Sequence, residues 1–345
     1  MLRSDIVFLI AFSWPSHLAQ CSGPSKSAMK VAILQFSPEL GTVTSNIARA
    51  DSILAASSAY DIDILVLPEL VFTGYNHTRE SILPLLEPAE TGISSKWAAS
   101  TARKYNCIVT VGYPEITDHD DGTGQDVKAY NSTITIAPTG QVLAHYRKTH
   151  LYYTDEPWAL EGPDKWLTTT LPLSNAPDVS AIKAAFGICM DLNSYRFQSE
   201  WTAYEFSNAA LSSRAEILLL SMAWLTSLPA TEVKHRPEAP DMDTFSYWIN
   251  RLMPLVESET GVLVVCANRC GEEPGQNPCG QVEEGVRYAG SSWVGRVGKG
   301  KVSVWGLMGR AEEGMLVVDT EEEAKTTFRI ARREKVEDGI GEDGG

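Results

Sequence analysis

Three residues of unlike chemistry, Glu69, Lys148 and Cys189, each follow a short apolar run in this 345-residue chain. Hydrolysing a carboxamide takes a nucleophile, a group that shuttles protons and a group that holds the developing oxyanion, and a cysteine, a carboxylate and a lysine can fill those roles. The three lie far apart in sequence, so only tertiary folding can bring them together. Singly, each has a plain structural explanation: a charge at a strand end, a solvated hairpin lysine, a small buried thiol. Their weight comes from the words around them, VLPELVFTGY at 66–75, YRKTHLY at 146–152 and GICMDLNSYRF at 187–197, occurring in that order.

The elements that must position them can be read from periodicity. KVAILQF (30–36) is a β-rich run, and residues 44–56 follow as a helix with Val43, Ile47, Ala50 and Leu54 on one face. IDILVL (62–67) is halted by Pro68, which cannot extend a central strand, so Glu69 falls at a strand's carboxyl end. That edge is where open α/β sheets bind ligands. A helix is expected over 93–105, a strand over 107–113, and a hairpin over 130–137 and 141–148 that ends in Lys148. KAAFGICM (183–190) is a small-residue strand ending at Cys189. A helix over 197–211, a strand over 216–222 and a helix over 243–258 follow. Strands at 261–267, 288–297, 301–307 and 314–318 complete the compact part. Without an internal period or a long linker, this reads as one α/β domain over 29–320, trailed by a charged, Gly-rich tail over 321–345 that is expected to fray.

Residues 1–28 fit less easily. An apolar run from Ile6 to Trp14 is too short to span a bilayer, Asp5 spoils a positive leader, and no small-residue cleavage site is clear. A weak targeting peptide, an upstream extension and translation starting at Met29 remain open, with an extension outside the fold preferred. A net charge of -15 and a pI near 4.9 exclude a phosphate-backbone partner, since nucleic-acid affinity draws on clustered Lys and Arg. The six cysteines, Cys21, Cys107, Cys189, Cys266, Cys270 and Cys279, are too sparse for a disulfide scaffold and lack the CxxC or histidine spacing of a zinc site. A reducing, cytoplasmic setting with no metal is the simpler reading. Asn76 and Asn131 head Asn-X-Thr triplets, a glycosylation pattern that chance often supplies.

The three words, together with LLLSMAW (218–224), CANRCGEE (266–273) and YAGSSWV (288–294), resemble the carbon-nitrogen hydrolase, or nitrilase, superfamily from about Lys30 to Asp319. The resemblance implies a single-domain, four-layer α-β-β-α sandwich that needs no cofactor. It implies Glu69 as general base, Lys148 and the Met190 N–H as oxyanion donors and Cys189 as nucleophile. A second glutamate beyond the lysine is also implied, with Glu156 the best match and Glu161 the alternative. Family members often assemble into dimers and larger spirals, but the sequence leaves the oligomeric state open.

GICMDLNSYRF and RKTHLYYTDEPWALEG are similar to the branch that deamidates Asn and Gln at protein N-termini, creating termini that are arginylated and degraded. Ser194, where that branch has proline, and Cys270, inside the Asn-Arg-x-Gly wording, depart from it. A small-molecule ω-amidase or a nitrile hydrolase is the alternative. An N-terminal amide substrate demands recognition of a free α-ammonium, for which Asp191 is a candidate, although it could equally hydrogen-bond locally behind Cys189. Trp158, Tyr195 and Trp224 are candidates for the entrance, or else core.

Overall fold

Alternation decides the layers. In the strand Lys30–Gln35, Val31 and Ile33 face one core while Ala32 and Leu34 face another, and all four are fully buried. Apolar residues on both sides of a pleated strand require a sheet covered on both faces. Ile64 and Val66 continue the first face, Leu65 and Leu67 the second. The structure, a computed structural model, describes residues 6–10, 29–57, 61–117, 128–173, 180–275 and 285–332.

The first sheet runs Gly314–Asp319, Lys30–Gln35, Ile64–Val66, Ile108–Ile116, Ala129–Ile136, Val142–Arg147, with Glu87–Pro88 beside Ile108–Ile116. The second runs Ile6–Ile10, Thr326–Arg332, Lys301–Leu307, Trp293–Gly298, Val262–Asn268, Ile217–Met222, Ala181–Ile188, Thr168–Pro172. Val31, Ile33, Ile64 and Val66 share one core with Ile217, Leu219 and Val264 of the second sheet. Helices Val43–Ala56 and Ile93–Tyr105 cover the outer face of the first sheet with Ala50, Leu54, Trp97 and Ala102. Helices Glu205–Ser212, Met242–Arg251 and Met253–Glu257 bring Phe206, Phe245, Trp248 and Val256 to the second. The result is the expected single-domain α-β-β-α sandwich.

Four expectations change. The helix expected over 197–211 is reduced to Glu205–Ser212, because Arg196, Phe197 and Tyr204 hold left-handed backbone (φ 53°, 55° and 44°) that no helix can carry. The helix over 243–258 breaks at Leu252, and Pro254, which has no N–H to give, opens the second piece. The tail does not fray at 321: Thr326–Arg332 pairs antiparallel with Lys301–Leu307, and the Phe328 ring lies 5.9 Å from Phe245. Within residues 1–28, Ile6–Ile10 extends the sheet by pairing with Thr326–Arg332. Residues 1–5, 11–28 and 333–345 lie outside the described residues. No helix among the described residues is long and apolar enough to cross a membrane.

Candidate active site

The two sheets are stitched together at the strand ends that carry the chemistry. Glu69 N donates to Met222 O at 3.3 Å, and Ser221 Oγ donates to Leu67 O at 2.8 Å. Parallel pairing sets Ser221 opposite Ile188, so Cys189, the next residue, flanks Met222 from the other side. Glu69 and Cys189 therefore converge from different sheets on one strand end. The approach is close: a Cβ at Gly112 would stand 2.9 Å from Glu69 Cα, so only glycine fits beneath the carboxylate.

Lys148 arrives from the hairpin, its N–H bonded to Asn131 O at 2.8 Å. Its fully buried Nζ donates to Glu69 Oε1 and to Asp155 Oδ2, each at 2.6 Å. Asn131 Nδ2 bridges the same two carboxylates, at 2.7 Å to Glu69 Oε1 and 3.0 Å to Asp155 Oδ1. Glu69 Oε2 is buried with no hydrogen-bond partner among the described residues, which leaves one oxygen of this carboxylate uncommitted. The Lys148 ammonium also stands 5.5 Å from the centre of the Tyr75 ring.

The second carboxylate is thus Asp155 and not Glu156. The turn at 152–159 is closed by Tyr152 N donating to Asp155 Oδ2 at 3.0 Å and Trp158 N to Asp155 O, which points the aspartate inward. Glu156, one residue on, faces solvent. Glu161 is elsewhere too, accepting from Tyr195 Oη at 2.7 Å.

Asp191 is also reassigned. It is fully buried and accepts from the N–H groups of Thr149, His150 and Ile188 and from Tyr146 Oη, at 2.8 to 3.1 Å. Every oxygen is engaged in tying the cysteine turn to the lysine hairpin, so it holds the loop and has none free for an α-ammonium. Cys189 itself sits at φ 41°, a left-handed conformation that costs a non-glycine residue about 1 kcal/mol or more and persists only where the surroundings enforce it.

Cys189 opens into a cavity of about 180 Å³ whose wall includes Met190, Asn193, Tyr75, Trp224 and Tyr247. Met190 and Trp224 both line this cavity. Trp158 packs in the core beside Leu70 and Tyr75, and Tyr195 is turned toward Glu161; neither lines the cavity. Asp155, Asn131 and Tyr75 are the residues that sequence reasoning passed over. Asn131 was hidden inside a glycosylation pattern, yet it is wholly buried.

Burial pushes the Cys189 thiol well above its ordinary range, and the Glu69 charge adds to this; Lys148 and a hydrogen bond from the Ala223 N–H only partly oppose it. The resting thiol is therefore protonated, and any attack by its sulfur would have to be coupled to proton removal. Burial likewise raises Glu69, against the pull of Lys148. Desolvation works against the Lys148 charge, but Asp155 and Glu69 outweigh it and hold the ammonium protonated. With Glu69 as base, the acid limb of kcat/KM is expected at an apparent pKa above the ordinary carboxyl value of 4.5, because activity is lost as pH falls through Glu69's raised pKa. A pH profile that stays flat down to 4.5 would rule Glu69 out.

The profile of the family described as "Carbon-nitrogen hydrolase" matches residues 30–295. A protein N-terminal amidase of Schizosaccharomyces pombe is 32% identical over 309 residues, covering 85% of this chain and all of that one. One of Saccharomyces cerevisiae is 34% identical over 231 residues, 63% of this chain and 49% of its own length. Among solved structures, an N-terminal amidase with a Gln-Val peptide superposes with a TM-score of 0.73 at 23% identity, over 88% of this chain and 99% of that one, a likeness of fold. A buried carboxylate-lysine cluster at one sheet's edge, a cysteine at the other's and a family match spanning both lead to one assignment: this chain belongs to the carbon-nitrogen hydrolase family.

Proposed function

We propose that the chain is a protein N-terminal amidase that converts the side-chain carboxamide of an N-terminal Asn or Gln to a carboxylate with release of ammonia, and so feeds protein degradation. The carrying observation is the pairing of the Glu69–Lys148–Asp155 cluster with Cys189 at the wall of a small cavity. About 180 Å³ is well below the roughly 300–1,000 Å³ of sites for drug-sized ligands, and suits a single residue whose chain continues outside. The full-length similarity to the Schizosaccharomyces amidase supports the substrate class. The described cysteines Cys107, Cys189, Cys266 and Cys270 are free, in keeping with a reducing compartment such as the cytoplasm.

In this reading Glu69 takes the Cys189 proton as sulfur attacks the carboxamide carbon, and the oxyanion is held by Lys148 and by the Met190 N–H. Glu69 returns the proton to the leaving nitrogen, ammonia departs, and a thioester remains on Cys189. Water, deprotonated by the same carboxylate, then cleaves the thioester to the acid and restores the thiol. Asp155 and Asn131 keep Lys148 and Glu69 in register.

The test is ammonia release from short peptides that begin with Asn or Gln, beside their N-acetylated forms and free asparagine, glutamine and ω-amides. Release confined to free-amine peptides is expected. Turnover of free metabolites in preference to peptides would leave a hydrolase with a small-molecule substrate.

A further inference from the structure

The fold leaves a pair of aromatic side chains exposed at the rim of the Cys189 cavity. Phe197 lines that cavity yet is 44% exposed, and Tyr153, 54% exposed, lies 6.1 Å from it between ring centres. Tyr152, also in the cavity wall, joins them at 5.1 Å from Tyr153 and 6.5 Å from Phe197. Tyr152 packs partly against the core, but Tyr153 and Phe197 are exposed, and core packing does not account for their position. Arg196 and Phe197 are consecutive left-handed residues, a conformation unfavourable for any side chain but glycine's. The segment is nonetheless well anchored, by Tyr195 Oη to Glu161 at 2.7 Å, Tyr195 N to Glu205 at 3.2 Å and Phe197 N to Ser194 O at 3.0 Å. A rigid aromatic rim gives contact area at little entropic cost.

We infer that Tyr152, Tyr153 and Phe197 form a subsite for the second residue of the peptide substrate and favour an apolar side chain there. This deepens the N-terminal amidase reading and rests on it. The cavity has room for the amide-bearing first residue, so the second emerges at the rim, where Tyr152 and Phe197 line the same cavity as Cys189 and Tyr153 stands beside them. An aliphatic second side chain laid across the three rings would remove apolar surface on both partners from water.

The experiment compares kcat/KM for peptides Asn-Leu-Lys and Asn-Gly-Lys in the wild type, Phe197→Gly and Tyr153→Ser. Glycine suits the left-handed backbone at 197, so that variant deletes the ring while relaxing the chain. The wild type is expected to prefer leucine about tenfold, mainly through KM. Absolute rates fall in Phe197→Gly because it also lines the cavity, and the leucine-to-glycine ratio is the quantity read. It is expected to drop below about threefold in Phe197→Gly and to an intermediate value in Tyr153→Ser. A wild-type ratio near one, or a ratio unchanged in both variants, overturns the subsite while leaving the amidase in place. No release from any free-amine peptide, with free amides still hydrolysed, removes both.

Discussion

Cys189→Ala is expected to abolish ammonia release, a fall in kcat of about 10⁴-fold or more, because neither Glu69 nor Lys148 can form the covalent intermediate in its place. Fold and substrate binding should survive, since the thiol makes one hydrogen bond, from the Ala223 N–H, and borders the cavity. Stability adds an independent readout. At φ 41° residue 189 pays for its side chain, so Cys189→Gly should melt at or above Cys189→Ala, reversing the usual glycine penalty of about 0.5–1 kcal/mol. Thermal melts of the two variants beside a single-turnover assay measure both effects. Residual turnover within tenfold of wild type would mean that another group attacks the amide.

Lys148→Met carries the second large effect, on activity and on stability together. Loss of one oxyanion donor costs about 10²–10³-fold in kcat. The ammonium is also the only cation hydrogen-bonded to Glu69 and Asp155 among the described residues. Its removal strands two buried carboxylates, at a cost of about 3–5 kcal/mol, read as a lower urea midpoint. The pH dependence has a definite sign. Burial and the neighbouring Asp155 already raise Glu69, and without the lysine's opposing charge that rise grows. A carboxyl group with a raised folded pKa stabilises the fold below its unfolded value of about 4.5, and the contribution is lost as pH rises through the folded pKa. The variant's deficit against wild type should therefore shrink toward pH 4 and widen toward pH 8. A deficit independent of pH would show that the cost is packing alone.

Much of this was legible in the sequence because it is written locally. The runs 30–36 and 62–67 carry their own periodicity, and Pro68 marks where a strand must stop. The catalytic words are short and contiguous. What escaped notice depends on geometry that no local window contains. Asp155 and Glu156 are adjacent carboxylates in a loop, and only the Asp155 bond to Tyr152 N decides which turns inward. Asp191 carries a charge that suits an ammonium, but four donors from two segments, 146–150 and Ile188, saturate it. Asn131 resembles a surface triplet until the hairpin brings it under Glu69. The strand Thr326–Arg332 follows a polar stretch that suggested fraying, yet Phe328 finds a buried partner in Phe245.

The stitch of Glu69 and Ser221 across the two sheets also has a consequence for a chain emerging from the ribosome. Glu69, Lys148 and Asp155 all lie ahead of Cys189 in sequence, on or beside the first sheet, while Cys189 follows a strand of the second. A nascent or partly unfolded chain therefore carries its cysteine as an ordinary unassisted thiol, whatever its exposure. In the proposed mechanism the thiol meets its base only where the two sheets dock, so reactivity at Cys189 depends on the sheets being together.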